Sequence, residues 1–252
     1  MSWTQIKILA IVTMTMDHVA LALPIPPISI FGIQLYHLLR LFGRAAFPIF
    51  AFGISQGCIY THNLRKYLIR LLVFAFISEV PFQLALRYGR VAFGFNNIFF
   101  TLFAGALCCC IIELFREKNY LWVSIFPICV IVLLCEIIHT DYGGFGVLFI
   151  IAPYIFQKTR KRQIAALSIV VAFFYIVVSQ FSGFSYPLAW MRSPGNLRLV
   201  FQDLIGASLG LICLILYNGS QGSCAKKNFN KWACYLYYPL HLLVIYGVSV
   251  AI

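Results

Sequence analysis

Asp17 and His18 stand side by side in "TMTMDHVALAL", a run otherwise fit for lipid. A carboxylate and an imidazole are expensive to bury in hydrocarbon, so their presence points to work that apolar residues cannot do. Adjacent helical residues diverge by about 100°, so one of the pair lines a polar space while the other meets a neighbouring helix. A neutral imidazole suits taking and returning a proton near neutral pH. A helix-locking hydrogen bond is the competing structural reading.

Other segments carry groups of the same kind. "RLFGRAAFPIFAF" places Arg40 and Arg44 four apart on one helical face. An arginine inside the membrane needs an anionic partner, and Asp17, Glu79, or a ligand carboxylate or phosphate would serve. Gly43 permits close helix approach and Pro48 invites a bend. In "ISEVPFQLAL", Glu79 precedes Pro81 by two and shares a face with Gln83. In "FNNIFFTLFAG", Asn97 and Thr101 are four apart, with Asn96 beside them, and these amides both donate and accept. "HTDYGGFG" reads as a turn in which Asp141 caps the next helix or serves a site. "YLYYPLHLLVIY" puts Tyr238 and His241 three apart, the histidine near mid-membrane. The cationic counterpart is Arg65, Lys66 and Arg70, with "KTRKR" at 158–162 further on, side chains able to hold phosphates.

The elements that must position these groups are membrane spans. Of 252 residues, 62% are hydrophobic and 10% charged, with mean hydropathy +0.91. A soluble chain is roughly a quarter charged. Apolar runs of roughly 18 residues recur, the length of a bilayer crossing, and the alternation of a membrane barrel is absent. The fold class expected is all-α: a polytopic bundle in one integral membrane domain over 1–252. Nine spans are read at about 5–23, 44–60, 67–86, 95–115, 120–138, 143–157, 164–182, 199–217 and 232–250. The N-terminal run, Lys7 followed by an apolar stretch and Ala20-Leu21-Ala22, is shaped like a signal peptide and is read as the first span.

The net charge of +12 does not mark a nucleic-acid binder, because the basic residues fall in short loops between spans. With the N-terminus cytoplasmic, thirteen of the 19 lie inside: Lys7, Arg65, Lys66, Arg70, Arg116, Lys118, four from "KTRKR", and Lys226, Lys227 and Lys231. Arg40, Arg44, Arg87, Arg90, Arg192 and Arg198 lie outside, which supports an N-in, C-out chain. Five acids (Asp17, Glu79, Glu136, Asp141, Asp203) and three histidines (His18, His37, His139) then gather toward the outer face, predicting one outward-facing polar chamber. The nine cysteines show no paired CxxC spacing, and no metal site is expected. No internal repeat is visible, which counts against an inverted-repeat transporter.

The motifs "MTMDH", "RLFGRAAFPIFAFGISQG", "THNLRKYLIRLLVFAFISEVPF", "FNNIFFTL", "DYGGFGV" and "YYPLHLLVIY", in order from the first span to the last, resemble the TraX family. That family's named member acetylates the N-terminus of conjugative pilin. The resemblance extends distantly to transmembrane acyltransferases such as heparan-alpha-glucosaminide N-acetyltransferase. It implies transfer of acetyl from cytoplasmic acetyl-coenzyme A to an amine on a peptide or protein, in a multi-pass protein of the bacterial plasma membrane. Under it, Arg65, Lys66 and Arg70 hold the coenzyme phosphates. His18 is the first choice of base and His241 the alternative, with Asp17 or Glu79 orienting the imidazole. Arg44, Asn97 or Tyr238 would steady the oxyanion. No serine or cysteine stands in a nucleophile motif, which favours direct transfer. The rivals are O-acetylation of a sugar or lipid headgroup, a proton-coupled transporter, and a non-catalytic assembly factor.

Overall fold

The computed structural model describes residues 1–30, 32–86, 94–177, 194–220 and 227–252, with the side chains of 194–198 and 227–231 excepted. Arg87, Arg90, Arg192 and Lys226 therefore lie outside the described residues, as do the side chains of Arg198, Lys227 and Lys231.

The chain is helical: α1 Trp3–Ala22, α2 Leu35–Gly43, α3 Ala46–Tyr60, α4 Leu64–Leu86, α5 Ile98–Glu117, α6 Ile125–Ile138, α7 Gly143–Ile155, α8 Arg160–Ile176, α9 Pro194–Ile215 and α10 Lys227–Ala251. A single turn of 3-10 helix, Leu121–Ser124, leads into α6. Two short strands, Ser29–Ile30 and Ile33–Gln34, pair antiparallel ahead of α2, with Ser29 opposite Gln34. Six helical segments are long and apolar enough to cross a membrane: Trp3–Ala22, Leu35–Tyr60, Leu64–Leu86, Ile98–Glu117, Leu121–Ile138 and Trp232–Ala251. Gly143–Ile155 and Leu199–Ile215 are shorter apolar helices. The protein is a multi-pass, all-α membrane bundle.

Local chemistry sets the helix ends. Ser2 opens α1 with a reciprocal cap: its Oγ accepts from Gln5 N–H, while Gln5 Oε1 accepts from Ser2 N–H at 2.8 Å. Asn97 caps α5 and Thr159 caps α8 through their side-chain oxygens. His139 closes α6 in the left-handed conformation, φ 57°. α4 runs unbroken through Pro81, and α10 through Pro239.

The run expected at 44–60 is longer and divided. Residues 35–43 form a helix of their own, and the turn at Arg44 and Ala45 separates it from α3.

The described residues group into two compact units. The first is Met1–Phe50 with Thr159–Cys224, and the second is Ala51–Lys158 with Ala225–Ile252, the boundary falling inside α3. In the first, α1 packs on α2, and α9 packs on α2 and α8. In the second, α4 lies between α5 and α10, while α5 also packs on α7 and α6 on α7.

Candidate functional site

In the first unit, Asp17 sits on α1 where the bare Cα of Gly43 lets α2 approach: a Cβ on Gly43 would stand 2.4 Å from the Asp17 carboxylate. Both Asp17 oxygens accept from Arg40 Nη1 at 2.7 Å, and both side chains are largely withdrawn from solvent. Arg44 takes a different partner, because the chain turns between α2 and α3 at this residue. Its Nε lies 3.1 Å from Asp203 Oδ1 on α9. α9 comes this close through Gly206, whose Cβ position would lie 2.1 Å from the Leu41 carbonyl. Gln202, one residue before Asp203, donates to the His37 carbonyl at 2.8 Å. His18 is buried on the same helix as Asp17.

A second polar group forms within the second unit, at the N-terminus of α5. Glu79 of α4 is its centre. Glu79 Oε1 accepts from Gln83 Nε2 at 2.6 Å and from Asn96 N–H at 3.2 Å. Its Oε2 accepts from Asn97 N–H at 3.2 Å and Asn97 Nδ2 at 2.6 Å. Four donors on one carboxylate tie α4 to the N-terminal end of α5. Asn97, fully buried, also donates to the Ala75 carbonyl at 2.8 Å and caps Phe99 N–H at 2.9 Å. Asn97 is thus spent on holding α4 to α5.

The loop between α6 and α7 closes over the same end. Asn96 Nδ2 donates to the His139 carbonyl at 3.0 Å, and Thr101 Oγ1 donates to the Asp141 carbonyl. Glu136 caps α7, accepting from Gly144 N–H at 2.8 Å. This requires Tyr142 (φ 60°) and Gly143 (φ 52°) to be left-handed, a conformation glycine tolerates best.

α10 brings the remaining pair. The buried Tyr238 packs edge-on to Phe99, ring centroids 5.2 Å apart. Its hydroxyl lies by the Ile98 backbone N–H, with the carboxylates of Asp141 and Glu79 in its surroundings. His241 stacks on Tyr237 at 5.0 Å and meets Tyr238 edge-on at 5.5 Å. His241 Nδ1 lies 2.9 Å from the Tyr237 carbonyl. A carbonyl only accepts, so Nδ1 carries the proton and Nε2 is the basic nitrogen.

Down the same seam the groups become cationic. Arg70 stacks its guanidinium on the Tyr67 ring at 5.6 Å and lies within hydrogen-bonding reach of Tyr235. Arg65 and Lys66 are exposed in the first turn of α4, where Asn63 Oδ1 accepts from Lys66 N–H at 2.9 Å. From Arg65 to Glu79 is 14 residues, about 21 Å of helix. The structure therefore assigns Asp17, His18 and Arg44 to the first unit, and Glu79, Asn97, Tyr238 and His241, with Arg65, Lys66 and Arg70, to the second. Reading the sequence did not name Asp203 as the partner of Arg44 or give Glu136 its capping role. Both partners come from elements whose approach depends on packing, which spacing along the chain does not reveal.

Residues 2–249 match the TraX protein family. A probable fimbrial assembly protein FimC, serogroup H1, of Dichelobacter nodosus is 26% identical to this chain over 261 residues, an alignment covering 96% of this chain and 93% of that protein. No solved structure matches. With nearly its whole length matched, and with the motifs of α1, α4, α5 and α10 accounting for both polar groups, the chain belongs to the TraX family.

Proposed function

We propose that this protein is a bacterial plasma-membrane acyltransferase that moves acetyl from acetyl-coenzyme A to the N-terminal amine of a pilin-type protein. Membership of the TraX family and a relative named for fimbrial assembly support the pilin class of acceptor. The observation that carries the chemistry is the contact of His241 Nδ1 with the Tyr237 carbonyl, with the His241 ring packed against Tyr238. It offers a base and a hydroxyl donor on consecutive faces of one helix.

In this reading His241 Nε2 takes a proton as the acceptor nitrogen attacks the thioester carbonyl. Tyr238 O–H donates a hydrogen bond to the oxygen that gains charge and keeps its proton. The carbon–sulfur bond then breaks, and the imidazolium returns its proton to the leaving thiolate. Glu79 and Asn97 position these groups by fixing α4 to α5 and do not touch the reacting atoms. Arg65, Lys66 and Arg70 suit the coenzyme phosphates: two cations in the first turn of α4 and one in the next, on the same helix as Glu79. Asp17, Arg40, Arg44 and Asp203 hold α1, α2 and α9 together by ion pairs. The topology that goes with this is nine spans, N-terminus inside, with the coenzyme met on the cytoplasmic side.

The test is purified protein, labelled acetyl-coenzyme A, and peptides with free or blocked N-termini. Label enters only the free peptide, and H241A lowers its rate by about 10²–10⁴-fold. Undiminished transfer by H241A removes that residue from the chemistry, and label entering glycans but not peptides replaces the acceptor class.

A further inference from the structure

Three helix ends of the first unit, far apart in sequence, meet here, and two of them carry cations that form no ion pair among the described residues. α1 opens with Trp3 and Lys7, the chain leaves α9 through Tyr217, and α8 opens with Arg160, Lys161 and Arg162, all three exposed. Trp3 N–H donates to the Ser220 carbonyl, and Asn218 N–H to the Met1 carbonyl, each at 2.9 Å, so two of these ends are stitched together. The Trp3 and Tyr217 rings lie 5.6 Å apart. Lys7 Nζ stands 6.0 Å from the Trp3 centroid, and the Arg160 guanidinium lies 5.4 Å over Tyr217. None of these four cations takes part in an ion pair among the described residues.

We propose that this patch binds the phosphate of an anionic lipid headgroup. Tryptophan and tyrosine at the ends of apolar helices sit at headgroup depth, because their rings are apolar and their N–H or O–H is not. Basic clusters between helix ends recognise anionic headgroups, each cation adding a comparable increment. The first turn of α8 adds the positive end of its dipole, with Thr159 Oγ1 capping Arg162 N–H. The helices carry exposed apolar side chains for the acyl tails: Ile8 and Val12 on α1, Ile169 and Phe173 on α8, Ile212 on α9, and Leu216 just beyond it. A soluble phosphate compound needs cations but neither the aromatic pair nor those apolar flanks, so the lipid is the better fit.

The experiment is native mass spectrometry of the full chain released from micelles holding equal phosphatidylglycerol and phosphatidylcholine, with and without added coenzyme A. The wild type retains phosphatidylglycerol over phosphatidylcholine. R160Q/K161Q/R162Q lowers that retention by about two orders of magnitude, while R160K/K161R/R162K keeps it. Equal retention of both lipids by the wild type overturns the proposal even if the glutamine variant fails to accumulate. So does displacement of phosphatidylglycerol by coenzyme A, which would make this a coenzyme site. R65Q/K66Q, in the other unit, leaves lipid retention unchanged whether or not acetyl transfer survives.

Discussion

Glu79 illustrates what a carboxylate inside a membrane helix requires. It receives two backbone and two side-chain donors, two on each oxygen; an amide keeps one accepting oxygen and turns the other into an NH2 that faces two of those donors. Hydrogen bonds to a charged group contribute about 1.5–3 kcal/mol each. E79Q should therefore destabilise by at least about 2 kcal/mol, read as a lower unfolding midpoint in detergent. An unchanged midpoint would show that these contacts do not hold α5. The same logic applies to Asp17, whose oxygens both face Arg40. R40Q removes both hydrogen bonds from the largely withdrawn Asp17 carboxylate and leaves only Arg44 as a nearby cation among the described residues, at a cost of about 1.5–3 kcal/mol, and D17N/R40Q should recover most of it. If the double variant is no better than R40Q, the pair is not coupled. The sequence marked Asp17, Arg40, Glu79 and Asn97 because charged and amide groups in apolar runs are rare. It did not say that Asn97 and Glu79 would be spent on each other, since that depends on α5 starting at residue 98.

At the scale of the element, close approach is set by glycine more than by charge. On α9, a Cβ at Gly206 would meet the backbone oxygen of Leu41, which has no soft side chain to give way. G206A should force α9 off α2, breaking the Arg44–Asp203 contact and lowering the unfolding midpoint. On α10, Gly247 has nothing within 4 Å of a Cβ, so G247A should be neutral or stabilising by up to about 1 kcal/mol. Equal midpoints for the two variants would refute the packing argument. Six of the apolar runs were legible as spans because hydrocarbon thickness imposes a length on composition. α2 was not, because its nine residues, Arg40 among them, fall outside the apolar run read at 44–60. Its end at Gly43 is what sends Arg44 to Asp203, where helical spacing alone would keep both arginines on one face.

For the molecule as a whole, the arrangement of cations decides which way it lies in the membrane. Thirteen of 19 basic residues are placed on the side of the N-terminus by the nine-span reading, and both proposals require that side to be cytoplasmic. In the proposed reaction Arg65 and Lys66 at the start of α4 meet a coenzyme made inside the cell, with Glu79 about 21 Å further along the helix. In the proposed lipid site Lys7 and Arg160 face the leaflet in which anionic lipid gives a negative surface potential. An odd number of spans puts the C-terminus outside. Alkaline phosphatase fused after Ile252 should then be active and a green fluorescent protein fusion dark, with the reverse for fusions in the loop at Thr61–Asn63 between α3 and α4. A bright C-terminal fluorescent fusion combined with an inward 61–63 loop would mean that one of the shorter helices, Gly143–Ile155, Arg160–Ile176 or Leu199–Ile215, fails to cross. Activity at the 61–63 loop itself would place Arg65 and Lys66 outside, where no coenzyme is made, and would remove the donor side of the proposed reaction.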